Sequence, residues 1–179
     1  MSHGIDETLE FTPVQVAVLT VSDSRTLETD TSGALLAARV EASGHRLAGR
    51  RIVPDDVDRI RQAVQQWVDD PLVDVVLTTG GTVLTGRDVT PEAVLPLLDK
   101  QIEGFSVLFH SVSFQTVGLP TLQSRAFAGV ANGTFIFCLP GSNGAVRDGW
   151  DKVIEGQLDS RHRPCNLVEL MPRLTEHRQ

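Results

Sequence analysis

Hydrophobic positions along this chain follow two rhythms in turn. Val14 to Val21, Val73 to Thr78 and Thr134 to Leu139 are short, nearly continuous apolar runs rich in β-branched residues, the pattern of strands buried on both faces. His45 to Val53 is a more polar run, which suits a strand nearer the sheet edge. Between these runs the apolar residues recur at helical spacing. Leu35, Leu36 and Val40 mark a helix over 33–43, with Asp30, Thr31 and Ser32 as competing N-caps and Gly44 as its left-handed C-terminal cap. Ile60, Val64, Trp67 and Val68 trace one face of a helix over 56–69. Thr90 as N-cap, Pro91 at the first helical position and Glu92 in the first turn open a helix over 91–99. Phe105, Leu108, Phe109 and Val112 predict a helix over 103–114, and the small-residue segment 121–131 reads as another, broken by Gly133. Val146, Trp150, Val153 and Ile154 predict a last helix over 143–156. Strands that alternate with helices give an α/β fold, a three-layer sandwich with a mostly parallel sheet and helices on both faces. Residues 1–13 read as a loose, acidic tail.

Four polar clusters directly follow strands: Ser22-Asp23, Pro54-Asp55-Asp56, the turn over 78–90, and Pro140-Gly141-Ser142. In a parallel sheet these loops share the carboxyl edge, where ligands of open α/β sheets bind. Gly80, Gly81, Thr82, Gly141 and Ser142 can present N–H and O–H donors to phosphate. Asp55, Asp88 and Asp23 suit Mg²⁺, which takes a few carboxylates plus phosphate oxygens. Each residue also has a plainer role. Asp55, Asp56 or Ser142 can simply cap the next helix, and Asp88 beside Arg87 can be a surface pair. Arg125 is either an anion-binding group or a solvated helix arginine. Gly81 to Gly86 has the spacing of a P-loop, but Arg87-Asp88 stands where the phosphate-reaching lysine belongs. No G-x-G-x-x-G follows a strand, no His/Cys spacing suggests zinc, and no G-x-S-x-G elbow is present.

A chain of 179 residues with 41% hydrophobic and 22% charged residues is an ordinary globular domain with a full core. Its net charge of −7 argues against nucleic-acid binding. Any anionic ligand needs local help from arginine or backbone N–H groups. No stretch is long enough to span a membrane, and residues 1–13 lack a signal pattern. Cys138 and Cys165 do not make a disulfide framework and are expected to be reduced, in a cytoplasm. The glycosylation sequon Asn132-Gly133-Thr134 is read as chance.

Thr78-Thr79-Gly80-Gly81-Thr82 followed by Arg87-Asp88-Val89-Thr90-Pro91-Glu92-Ala93 resembles the central motif of the MoaB/MogA molybdenum cofactor biosynthesis proteins. Val18-Leu19-Thr20-Val21-Ser22-Asp23, Asp30-Thr31-Ser32-Gly33, Leu122-Gln123-Ser124-Arg125-Ala126 and Leu139-Pro140-Gly141-Ser142 resemble the same family in the same order. The ending Gln157-Leu158-Asp159 to Arg163-Pro164-Cys165-Asn166 is closer to the MoaB branch. The resemblance covers residues 14–166, leaving 167–179 as a C-terminal tail. It implies a molybdopterin-binding domain acting late in cofactor assembly. In catalytic members ATP and Mg²⁺ are used to adenylylate the molybdopterin phosphate; the alternative is a non-catalytic protein that binds molybdopterin or a precursor. By match of motif, Asp55 and Asp88 take the family's catalytic acidic positions, with Asp88 toward Mg²⁺. Substrate contacts fall on Ser22, Asp23, Ser32, Gly80, Gly81, Thr82, Thr90, Pro140, Gly141 and Ser142. The family also implies a homo-oligomer, trimer or hexamer, with 103–114 and 121–131 suited to an interface. One position departs: the family turn reads Gly-Gly-Thr-Gly, and Val83 stands in the last place, where a β-branched residue disfavours positive φ and adds bulk.

Overall fold

The computed structural model describes residues 3–178. In chain order the strands are β1 (Gly4–Ile5), β2 (Gln15–Val21), β3 (Arg46–Val53), β4 (Val75–Thr79), β5 (Lys100–Gln101), β6 (Phe127–Ala131), β7 (Thr134–Leu139) and β8 (His162–Arg163). The helices are α1 (Thr31–Ala42), α2 (Val57–Val68), α3 (Thr90–Val94), α4 (Glu103–Val117), α5 (Asn143–Gly149) and α6 (Glu155–Leu158). A π turn over Trp150–Ile154 joins α5 to α6, so the expected helix over 143–156 is one rod with a widened middle.

The main sheet has six strands in the order β3-β2-β4-β7-β6-β5. β3, β2, β4 and β7 are parallel, and β3, with its mixed burial, is the expected edge strand. β2 and β4 lie side by side although α1, β3 and α2 separate them in the chain. The strand order therefore reverses between them, and a crevice opens at their carboxyl ends. Helices cover both faces. One core layer packs Leu36, Val40, Phe105, Phe109, Val146, Trp150 and Ile154 against Val16, Val18, Val75 and Leu77. The other packs Ile60, Val64, Trp67, Val68, Ala93 and Val94 against Ala17, Leu19, Val76 and Ile136. Successive residues of β2 and β4 thus feed opposite layers, the reason their sequences are apolar at almost every position.

Four expectations need correction. Segment 121–131 is not a helix: Leu119–Gln123 is a short 3₁₀ turn and Phe127–Ala131 is β6, antiparallel to β7. The two-residue loop Asn132-Gly133 has φ of 47° and 84°, which makes a tight hairpin turn of the type Asn-Gly favours. The helix over 91–99 ends at Val94 and continues as a 3₁₀ turn over Leu95–Leu97, because Pro96 lacks an N–H and crowds the residue before it. Thr90 is not the N-cap of α3; that place is taken by Val89, which makes no side-chain cap, and the Thr90 hydroxyl turns back to donate to Gly80 O at 2.9 Å. The segment expected as a loose N-terminal tail is attached at three points. β1 pairs with β8, the Thr12 amide donates to Ser160 Oγ, and Phe11 packs beside His45 and under Arg161. At the other end, Leu167, Val168, Met171 and Leu174 pack on the first core layer.

Other expected caps are found in place. Asp30 caps α1 by accepting from the Gly33 amide at 2.9 Å, Asp56 caps α2 through the Arg59 amide, and Gly44 follows α1 with φ of 84°. Asp30 is fully buried. It also accepts from Thr20 Oγ1 at 2.7 Å and pairs with Arg50 at 2.8 Å, which fastens the start of α1 to β2 and β3.

Candidate functional site

The loops after β2, β3, β4 and β7 meet at the carboxyl edge, as their common position after parallel strands requires. They enclose a cleft of about 500 Å³. Its walls include Ser22, Ser32, Asp55, Gly80, Gly81, Asp88, Pro140, Gly141 and Ser142, all named from the sequence, together with Thr20, Arg25, Thr31, Thr79 and Val83. Arg25 and Thr31 were within reach of sequence reasoning, since they flank the polar loop after β2 and begin α1. Thr79 is the last residue of β4, and strand periodicity alone does not show that its hydroxyl donates to Pro140 O (3.1 Å) and sits 3.2 Å from Ser32 Oγ.

The glycine turn is built by close approach. Gly80 and Gly81 have φ of 104° and 68°. A Cβ on Gly80 would sit 2.3 Å from Val21 O, and one on Gly81 would sit 2.4 Å from Thr90 Oγ1 and 3.2 Å from Asp55 Oδ1. The β4 turn therefore lies flat against the end of β2 and directly beside the Asp55 carboxylate. Gly141 backs onto it, with its hypothetical Cβ 3.2 Å from Gly80 Cα. Ser142 spends its hydroxyl as the cap of α5, accepting from the Ala145 amide at 3.1 Å, while its residue still lines the cleft.

Three carboxylates shape the electrostatics. Burial pushes the Asp55 carboxyl up from its ordinary value, and the nearby charges of Asp23 and Asp88 push it further. Asp23 faces a neighbouring groove along β3 rather than the cleft. Its Oδ1 accepts from the Asp55 amide at 3.0 Å and its Oδ2 from Arg87, which holds its carboxyl below the usual range. Asp88 Oδ2 accepts from the Thr85 amide and hydroxyl, so Asp88 folds its own loop while lining the cleft. Thr82 and Thr90 sit behind the turn, fully buried, and do not line the cleft.

Val83 does line it. Its φ is not positive, so the β-branched residue causes no backbone strain, and its side chain adds an isopropyl group to the wall. Among the described residues no group of three or more His, Cys, Asp or Glu side chains is gathered so as to cage a metal alone. Asp55 and Asp88 do fit Mg²⁺, which takes one or two protein carboxylates and fills its other positions with water and phosphate. Burial is the main cause of the raised Asp55 value, and the smaller part that comes from the charges of Asp23 and Asp88 is what a cation there would relieve. Among the described residues no helix is long and apolar enough to cross a membrane.

This architecture has clear relatives. A family model described as "probable molybdopterin binding domain" matches residues 17–160. The molybdenum cofactor biosynthesis protein B of Escherichia coli (strain K12) is 49% identical over 158 residues, 88% of this chain and 93% of that one. Its namesake in Bacillus subtilis (strain 168) is 42% identical over 146 residues, 81% of this chain and 86% of that one. A crystal structure of a molybdenum cofactor biosynthesis protein B superimposes with a TM-score of 0.82 at 41% identity, over 94% of this chain and 98% of that one. The tungsten cofactor synthesizing protein MoaB from Pyrococcus furiosus gives a TM-score of 0.72 at 31% identity, over 93% and 98% of the two chains. With the family match spanning most of its length, this chain belongs to the molybdopterin-binding domain family of the molybdenum cofactor biosynthesis proteins.

Proposed function

We propose that the protein binds molybdopterin in the carboxyl-edge cleft and transfers an adenylyl group from ATP to the molybdopterin phosphate. The observation that carries this reading is the meeting, in one cleft, of the Asp55 and Asp88 carboxylates with the back-to-back turns Gly80-Gly81 and Gly141-Ser142. An oxygen of the molybdopterin phosphate attacks the α-phosphorus of ATP. The bond from that phosphorus to the bridging oxygen breaks, and pyrophosphate leaves with the electron pair. Such a transfer depends on positioning and charge neutralisation. Asp88 and Asp55 would hold Mg²⁺, which would supply charge neutralisation at the phosphates. Gly80 and Gly81 let a phosphate approach the backbone, while Ser22, Thr31 and Ser32 line the same cleft and carry hydroxyls. Arg25 contributes positive charge in an acidic protein.

A second reading is favoured by Val83: its isopropyl group narrows the wall where a phosphate would lie, which suits a pterin carrier that does no chemistry. The two are separated by measuring molybdopterin binding and then pyrophosphate release with ATP and Mg²⁺. Release that is lost in Asp88→Asn, with the variant still folded, supports transfer. Binding without release overturns transfer and leaves the carrier.

The same reading includes a cytoplasmic protein working as a homo-oligomer, a trimer or hexamer. Val107, Leu108, Phe114, Val117, Leu119 and Leu122 are exposed along α4 and the turn after it, and Leu119 and Leu122 are 81% and 88% exposed. Leu122→Glu should lower the mass found by sedimentation; an unchanged mass removes this face from the assembly.

A further inference from the structure

We infer that Arg125 is a positioning residue whose guanidinium latches the 82–90 loop, and with it Asp88, against the cleft. The sequence left two roles for it, anion binder or solvated arginine, and the structure fits neither. Its Nε donates to Val83 O at 2.8 Å, Nη2 to Asp88 O at 2.6 Å and Nη1 to Glu92 Oε1, while its own amide donates to Thr82 O at 2.7 Å. One residue thus grips the loop at its start, its end and the helix beyond. The fork is spent on backbone oxygens and a carboxylate.

The loop has little else to hold its middle. At its base, the Thr90 amide donates to Gly81 O and the Thr90 hydroxyl to Gly80 O. Further out, Leu84 to Arg87 are exposed, and the Thr85–Asp88 contacts are internal. Val89 packs on the second core layer near the loop's end, and the polar tie of the exposed middle is Arg87 to Asp23, whose side chains are 70% and 43% exposed. An exposed pair of that kind contributes little, whereas charge-assisted bonds from a part-buried guanidinium are about twice as strong as neutral ones. Arg125 is therefore the stronger tether. The two-carbonyl grip also needs a planar fork, which a lysine ammonium does not supply.

Topology explains how the residue reaches the site. β6 runs antiparallel to β7, with Phe127 opposite Cys138, so the entry to β6 lies beside the exit of β7. A residue just before β6 thus arrives at the same edge as residues just after β2, β4 and β7.

The test is amide hydrogen exchange on the ligand-free full-length chain, with Arg125→Ala and Arg125→Lys. The hydrogen-bonded amides of Thr85, Asp88 and Thr90 should exchange at least about tenfold faster in both variants, with β2, β4 and β7 unchanged. Unchanged exchange in the loop overturns the proposal, and so does full protection in Arg125→Lys. Should Arg125→Ala fail to fold, the lysine variant decides alone. A second readout rests on the transfer reading above. In the pyrophosphate assay Arg125→Lys should lower kcat about tenfold or more, with KM for molybdopterin within about twofold. A raised KM at unchanged kcat would make Arg125 a ligand contact instead and overturn the latch. Should the unaltered protein release no pyrophosphate, the transfer reading fails, while the exchange data still decide the role of Arg125.

Discussion

Substituting Gly81 by alanine tests how tightly the cleft is built. Gly81 has φ of 68°, a region that costs an L-residue roughly 1–2 kcal/mol. The new Cβ would also sit 2.4 Å from Thr90 Oγ1, a contact that cannot stand. Thr90 is fully buried and its hydroxyl donates to Gly80 O at 2.9 Å, so moving it aside breaks a buried hydrogen bond at roughly 1–3 kcal/mol. Together these give a loss of about 2–5 kcal/mol, or a fall in Tm of roughly 4–20 °C for a chain of this size. Urea and thermal unfolding at fixed protein concentration measure it. The mechanism is isolated in the Thr90→Ala background, where the obstructing hydroxyl is absent. There Gly81→Ala should cost only the backbone term, and the double variant should fall short of additivity by about 1–3 kcal/mol. A loss under about 0.5 kcal/mol, or full additivity with Thr90→Ala, would refute the packing derived for this turn.

Asp30→Ala removes a helix cap and leaves the Arg50 guanidinium without its carboxylate, so urea unfolding at neutral pH should show a loss of about 2–4 kcal/mol. Although burial pushes the Asp30 carboxyl up, Arg50, Thr20 and the Gly33 amide together hold it below 3.8. Its stabilisation is therefore present above that pH and is lost as pH falls through the lowered folded value, so the gap between native protein and variant should close at strongly acid pH. Asp55 has the opposite sign: its raised folded value means a cost that grows as pH rises above 3.8. Asp55→Asn should unfold at higher temperature than the native protein at neutral pH, with the difference vanishing below 3.8, while any transfer activity is lost. Burial pushes the Cys138 thiol up to about 12, whereas Cys165 is exposed. A thiol reagent should accordingly find one fast equivalent in the native protein and two in denaturant.

The parallel half of the fold was legible because burial on both faces leaves a mark in the sequence. β2, β4 and β7 are apolar at consecutive positions, and polar residues and glycines appear where each chain leaves the sheet. The cleft followed from that, since the loops after parallel strands must share an edge. β6 was not legible as a strand because Phe127-Ala-Gly-Val-Ala131 contains small residues without alternation, a composition equally at home in a helix. The local signal that could have found it is Asn132-Gly133 directly before a strong strand. Thr90 was misplaced for a related reason. A threonine before a proline is a good cap by type, but the nearby Gly80 carbonyl, brought in by the glycine turn, competes for its hydroxyl. The grip of Arg125 on the loop was invisible in principle, because the two loop groups its side chain holds are backbone oxygens about forty residues away, and carbonyls have no sequence signature.

The hairpin of β6 and β7 also bears on how the molecule comes into being. Ala131 and Thr134 pair across a two-residue turn, whereas Val16 with Val75 and Val75 with Phe135 are partners about sixty residues apart, so their closure is the slower event. The hairpin is the piece of sheet that can form from its own neighbourhood, and β7 then offers β4, and through it β2, an edge to dock on. Pulse-labelled hydrogen exchange during refolding should protect β6 and β7 before β2; simultaneous protection would contradict this order. On this order the cleft floor, between β2 and β4, would be finished after the hairpin. A chain stopped halfway would hold Arg125 at the head of a completed hairpin, with no loop yet in place for it to grip.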